Sequence, residues 1–201
     1  MVQPQPSAIC CFTAAGSIPG IAGTTDDSDI VKFTATSLGS TTAGSFEMYF
    51  DGSDVGLNTS SENVDAVELL AGGDLLISTN GNFSTGGVSA LDEDLVRFVR
   101  TSLGATTAGA WSLYFDGSDV GLASASSEDV DAVALDAAGR LHLSTSGVFA
   151  VAGVSGADED VFVFTPTSLG GTTAGTFSAA LFFDGSVHGL ATNDVVAIDL
   201  P

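Results

Sequence analysis

Short runs of alternating apolar and polar residues, separated by stretches rich in Gly, Ser and Thr, make up most of the chain. The alternation is clearest at Ile30–Thr34, Leu95–Val99 and Val161–Thr165. There Val31 and Phe33, Val96 and Phe98, and Phe162 and Phe164 are each predicted to share one face of a strand, with Lys32 and Arg97 on the other. A second set of runs covers Phe46–Phe50, Trp111–Phe115 and Phe177–Phe183. Phe46, Met48 and Phe50 are predicted to share a face, as are Trp111, Leu113 and Phe115. The last of these runs is two residues longer, which keeps the side of each residue because two is the strand period. Val/Ala-rich runs at Val64–Leu70, Val130–Leu135 and Val195–Leu200 each come before a Leu- or Ile-led run: Leu75–Thr79, Leu141–Thr145 and, by alignment, Ile9–Thr13. Short Gly-containing turns join the first two such pairs and read as hairpins. No run sustains a helical period, and Gly, Thr and β-branched residues are poor helix formers. The expected fold is all-β.

The runs recur in a fixed order. Tyr-Phe-Asp-Gly-Ser-Asp-Val-Gly-Leu at Tyr49–Leu57 returns unchanged at Tyr114–Leu122 and, altered, as Phe-Phe-Asp-Gly-Ser-Val-His-Gly-Leu at Phe182–Leu190. Asp-Glu-Asp at 92–94 and 158–160 has Asp27-Ser28-Asp29 as its counterpart. Thr-Ser-Leu-Gly begins at Thr36, Thr101 and Thr167, and Thr-Thr-Ala-Gly at Thr41, Thr106 and Thr172. The chain is therefore a single repeat domain over residues 1–201, built from units of about 66 residues that must share apolar faces with their neighbours. The units span approximately 1–61, 62–127 and 128–192, and 193–201 completes the first.

Ala8 aligns with Gly139 and Pro201 with Asp136, so the C-terminal run is expected to pair with the N-terminal one as a further hairpin. Three four-stranded antiparallel units, one completed by both chain ends, resemble β-propellers, in which pairing of the first and last strands removes open edges. The resemblance implies a propeller-like body. Closure would occur within one chain, between two chains as a six-bladed ring, or without closing, as a filament.

Ala157–Gly175 (ADEDVFVFTPTSLGGTTAG), YFDGSDVGL and EDVDAV together are also similar to tandem Asp/Gly-rich repeats of large secreted or surface proteins of bacteria. That resemblance implies an extracellular or cell-surface location and a binding or structural role.

Charge narrows the partners. Four Lys and Arg stand against twenty-five Asp and Glu, a net charge of −21. Such a field repels nucleic acid and anionic lipid and favours cations. No apolar run approaches the roughly 20 residues that span a bilayer. The start, MVQPQPS, lacks the charged and apolar regions of a signal peptide. Cys10 and Cys11 are adjacent, too few for a disulfide framework, and are expected to point one into the core and one outward.

Asp51 and Asp54, with Asp116 and Asp119, follow the second set of runs in Asp-Gly and Ser-Asp contexts that form turns. They are also candidate Ca²⁺ ligands, since that hard ion takes six to eight oxygens. The same double reading applies to Glu62, Asp65, Glu128 and Asp131 at the start of the Val/Ala-rich runs. In a propeller Asp65 and Asp131 would approach the axis, where like charges need a hydrogen bond or a bridging cation. The third copy carries Val187 and Val196 at the positions of Asp54 and Asp65. Paired carboxylates also suit glycoside hydrolysis, although here they recur in every unit, as turn chemistry does. His142 is expected to face solvent, and neither it nor His188 has zinc partners. Asn58-Thr59-Ser60 and Asn82-Phe83-Ser84 have the form of glycosylation sites.

The expected function is a non-catalytic extracellular structural module that assembles with itself by strand complementation, as a homodimer or filament. A Ca²⁺-dependent carbohydrate-binding or adhesion module, with glycans as partner, is the alternative. A Ca²⁺-dependent hydrolase on a six-bladed ring is the third.

Overall fold

A computed structural model describes residues 7–11, 16–123 and 127–200, with backbone alone for Ser7–Cys11. The described residues form fifteen strands and four short 3₁₀ turns, with no α-helix. In chain order the strands are β1 (Ser7–Cys11), β2 (Ile30–Ser37), β3 (Ala43–Phe50), β4 (Val64–Leu69), β5 (Leu75–Thr79), β6 (Phe83–Thr85), β7 (Val88–Ala90), β8 (Leu95–Ser102), β9 (Ala108–Phe115), β10 (Ala132–Leu135), β11 (Leu141–Ser144), β12 (Phe149–Val151), β13 (Val154–Gly156), β14 (Phe162–Ser168) and β15 (Ala174–Phe177). Three antiparallel sheets hold eleven of these, in the orders β1-β2-β3, β4-β5-β8-β9 and β10-β11-β14-β15. The second and third sheets share one strand order, and the first lacks only its leading strand.

Two apolar cores lie between consecutive sheets. Ile30 and Phe50 from the first meet Leu75, Ile77, Phe98 and Trp111 from the second. Leu76, Leu95 and Phe115 from the second meet Leu143, Phe162 and Phe164 from the third. β5 therefore buries both faces, which is why Leu-Leu-Ile-Ser-Thr reads as a continuous run rather than an alternating one. Aromatic rings fill the joints edge to face, with Phe50 5.2 Å from Phe98 and Phe115 5.3 Å from Phe164.

Four expectations are corrected. First, Trp111 and Phe115 do not share a face. Leu95 pairs with Phe115 and Val96 with Leu113, so Tyr114 is an extra residue in a bulge. The bulge turns Phe115 into the core opposite the one that holds Trp111. Tyr49 marks the same irregularity in the first unit, between the Ile30–Phe50 and Val31–Met48 pairs. Second, β15 stops at Phe177, and pairing resumes only at a Val161–Phe183 bridge. The residues Ala179 and Ala180 bend out instead of lengthening the strand. Third, a small hairpin, β6-β7 or β12-β13, stands between the second and third strands of each complete sheet. The Gly86-Gly87 turn with both φ values positive was its signal. Fourth, Val195–Leu200 contains no strand, and β1 pairs only with β2. The corresponding hairpins β4-β5 and β10-β11 are closed locally by Gly73 and Gly139 amides donating to Leu70 and Asp136. No such turn joins Val195–Leu200 to β1, and bringing distant segments together carries a loop-closure cost. The expectation for Thr13 and for the two cysteine side chains lies outside the described residues.

Candidate functional site

The most regular chemistry in the molecule is a joint between consecutive units. Asp51 accepts from the Ser53 hydroxyl at 2.7 Å and from the Asp54 amide. This folds Gly52–Gly56 into a 3₁₀ turn that ends on Gly56 at φ 97°. The turn aims Asp54 at the next unit, where its carboxylate accepts the Thr107 amide at 2.8 Å. In return the Asp51 amide donates to the Thr107 hydroxyl at 2.9 Å, and the Gly104 amide donates to the Tyr49 carbonyl at 2.8 Å. The second joint repeats the first, with Asp119 on Thr173 at 2.8 Å, Asp116 N–H to Thr173 at 2.9 Å, and Gly170 N–H to Tyr114 at 2.7 Å. Thr107 and Thr173 are buried by this clasp. The equivalent Thr42 of the first unit is exposed.

Glu62 and Glu128 tie each sheet's entry to its small hairpin. Glu62 accepts from the Asn58 and Thr59 amides and the Thr59 hydroxyl through one oxygen, and from the Ser84 amide through the other. Burial raises its pKa, but these donors outweigh that and leave it below the ordinary carboxylate range. Glu128 accepts the Ala123 and Ala150 amides at 2.7 and 3.0 Å.

Asp29, Asp94 and Asp160 each accept the amide of the glycine in the Asp-Gly pair, at 3.0, 2.8 and 3.1 Å. That approach needs glycine, because a Cβ at Gly117 would stand 2.5 Å from the Glu93 carbonyl oxygen. Burial lifts the Asp94 pKa to about 6 despite its two amide donors.

Asp65 and Asp131 stand in different surroundings. Asp65 lies against Asp129, and Asp131 against Asp194. Asp129 also feels Asp92, and Asp194 feels Asp158. Buried oxygens on Asp65, Asp92, Asp129 and Asp131 have no hydrogen-bond donor. Burial first, and the Asp129 charge second, push the Asp65 carboxyl well above the usual range. Burial and the Asp194 charge push Asp131 up to about 8. Glu93, wholly buried beside Asp92, is likewise raised to about 8, chiefly by burial.

The structure thus divides the eight sequence-predicted acids. Asp51, Asp54, Asp116, Asp119, Glu62 and Glu128 receive amide or hydroxyl donors, whereas Asp65 and Asp131 gather with further acids. Sequence reasoning passed over Thr107 and Thr173, although Thr-Thr-Ala-Gly recurring with the Asp-Gly stretch was their signal. It also passed over the roles of Asp129 and Asp194. His142, expected at the surface, is 2% exposed, with its ring 4.5 Å from that of Phe182. It holds the place of Leu76, a core residue of the unit before. Among the described residues no helix is long and apolar enough to cross a membrane. Comparison with known proteins finds no matching family model, no matching curated protein and no matching solved structure.

Proposed function

We propose that the chain is a non-catalytic structural module of a bacterial surface or secreted protein, and that it assembles by joining its end units to further units of the same repeat. The clasp carries this reading. Each joint uses an Asp-bearing turn from one unit and a Thr-bearing turn from the next, so a row of units leaves one half-clasp free at each end. At one end the turn around Thr42 is exposed, and Leu38 within it is 59% exposed. Its counterpart Leu103 packs against the core shared with the preceding unit. At the other end Phe182 is 57% and Val187 71% exposed. Large apolar side chains at both ends match each other in chemistry, and exposed apolar surface of this kind marks contact sites.

The occupant that fits both ends is another copy of the unit. In a propeller-like closure the Val195–Leu200 segment would lie along β1 and supply the leading strand that the first sheet lacks. The extracellular setting rests on the tandem-repeat resemblance and suits a strongly acidic surface.

The test is the solution mass of the full chain by light scattering, together with Val187→Asp. That substitution restores the acceptor which Asp54 and Asp119 supply in the other units. A sharp monomer whose stability Val187→Asp leaves unchanged or raises refutes the reading. A sharp dimer means a ring of two chains, and a ladder of large species means a filament.

A further inference from the structure

We propose that hard divalent cations of the Ca²⁺ class bind at two repeat-equivalent positions at the sheet entries, one between Asp65 and Asp129 and the other between Asp131 and Asp194.

The first observation is that three of these four groups carry buried oxygens without donors, while Asp194 is exposed. Asp131 is 5% exposed, and neither of its carboxylate oxygens has a hydrogen-bond partner. Asp65, Asp129 and Asp92 each add one buried oxygen in the same condition. Two carboxylates cannot donate to one another, so each close pair holds together only by sharing a proton or a cation.

A second observation is where the positive charge lies. The chain has four Lys and Arg in all. Lys32 pairs with Glu47, Arg97 with Asp74 and Arg140 with Asp136, while Arg100 donates to the Gly72 carbonyl and, through its amide, to Asp74. None faces the acid row. An uncompensated buried carboxylate is costly, so compensation must come from solution.

The third observation is a comparison that the repeat itself supplies. The position of Asp129 and Asp194 is Asn63 in the first copy of this stretch. There the Asn63 side-chain amide donates to Asp27 at 3.2 Å, where Asp27 is the counterpart of Asp92 and Asp158. The first copy gives this pair a neutral donor, although one buried oxygen of Asp27 stays without a partner, and the next two copies replace the donor with a further negative charge. In the second copy that charge, on Asp129, meets Asp65, and in the third copy, on Asp194, it meets Asp131. The row ends where Val196 follows Asp194. A donor lost and a charge gained, twice at the same place, is the chemistry of an oxygen-liganded cation rather than of turn formation.

Among the described residues no three acidic or other metal-ligating side chains converge on one point. Each position therefore offers two carboxylates, and backbone carbonyls and water would complete the shell. Ca²⁺ accepts such irregular shells of six to eight oxygens, whereas Mg²⁺ demands a small octahedron and sheds its water reluctantly. Sites this lightly charged fall in the weak range of extracellular modules, with Kd on the order of 0.1–1 mM.

The full chain, stripped of metal, is titrated with calcium chloride and separately with magnesium chloride at neutral pH. Bound metal is counted by equilibrium dialysis, and the melting temperature is followed. The variants are Asp129→Asn, which copies the natural Asn63, and Asp131→Asn, which keeps the shape of the side chain. Asp116→Asn serves as the control. The expected result is two Ca²⁺ per chain, a melting temperature that rises with calcium far more than with magnesium, one Ca²⁺ per chain in either row variant, and two in the control. In chelator Asp129→Asn should melt higher than the unaltered chain, because it removes a buried like charge. An unaltered chain whose melting temperature and bound metal ignore calcium overturns the proposal and leaves the pairs bridged by protons. Calcium binding that survives unchanged in both row variants overturns it too, and places the ion elsewhere. The unaltered chain carries the first of these outcomes even if a variant does not fold.

Discussion

Asp54 shows how one side chain can set a boundary between repeats. Its acceptor oxygen lies on the Thr107 amide, 53 residues away in sequence, where Thr107 is buried and Asp54 itself is exposed. Asp54→Ala leaves that amide without its partner and should cost about 1–2 kcal/mol in chemical denaturation. Asp119→Ala should cost a similar amount at the second joint, and Val187→Ala almost nothing. The acid row gives a second prediction. The folded-state pKa values of Asp65, Asp131, Glu93 and Asp129 lie above those of the unfolded chain, to about 8 for Asp131 and Glu93 and about 6 for Asp129. Between about pH 4 and pH 8 the folded form then holds more protons at these groups than the unfolded form. Their contribution is fully present below the unfolded values and is lost as pH rises through the folded ones. In chelator the melting temperature should therefore fall as pH is raised from about 5 to 8, as scanning calorimetry would show. A flat profile would mean that the acids ionise freely in the fold.

Among the elements, the third run of each unit was legible because Val96-Arg97-Phe98 and its counterparts alternate over their length, and Val96 and Phe98 do enter one core. β5 was legible as a bounded apolar run. What escaped was geometry that alternation does not encode. A single extra residue at Tyr114 sends Trp111 and Phe115 into different cores, and no side-chain pattern announces a bulge whose cause is the ladder beside it. Ala179 and Ala180 failed the parity argument for a related reason: a strand accepts two further residues only if its neighbour has two more to pair with, and β14 does not. Deleting Ala179 and Ala180 should align Leu181, Phe182 and Phe183 with Leu113, Tyr114 and Phe115. The expected outcome is a β15 that runs through to Phe183, slower amide exchange over that stretch, and stability kept or raised. The candidate site was half legible. Acids at repeated positions could be named, but whether each met an amide or another acid depended on contacts between units. His142 misled for the same reason, because it is covered by Phe182, which lies 40 positions further along the chain.

For the whole molecule, the proposed assembly makes Val195–Leu200 the partner of β1. Removing Asn193–Pro201 should then change the solution mass or destabilise the first sheet, read by light scattering and by amide exchange at β1. A truncated chain of unchanged mass and unchanged exchange would separate the C-terminal segment from assembly. Stability of this kind accumulates through nearest-neighbour contacts, as in other repeat arrays.

The identical clasps between first and second units, and between second and third, have a consequence for growth. A joint that reads only the unit before it and the unit after it does not know its place in the row. Duplicating residues 62–127 in frame would present the same Asp-bearing turn to the same Thr-bearing turn once more, with no new surface to invent. Length is then a quantity that recombination can adjust by whole units, as on a ruler, while the chemistry of every joint stays as it was.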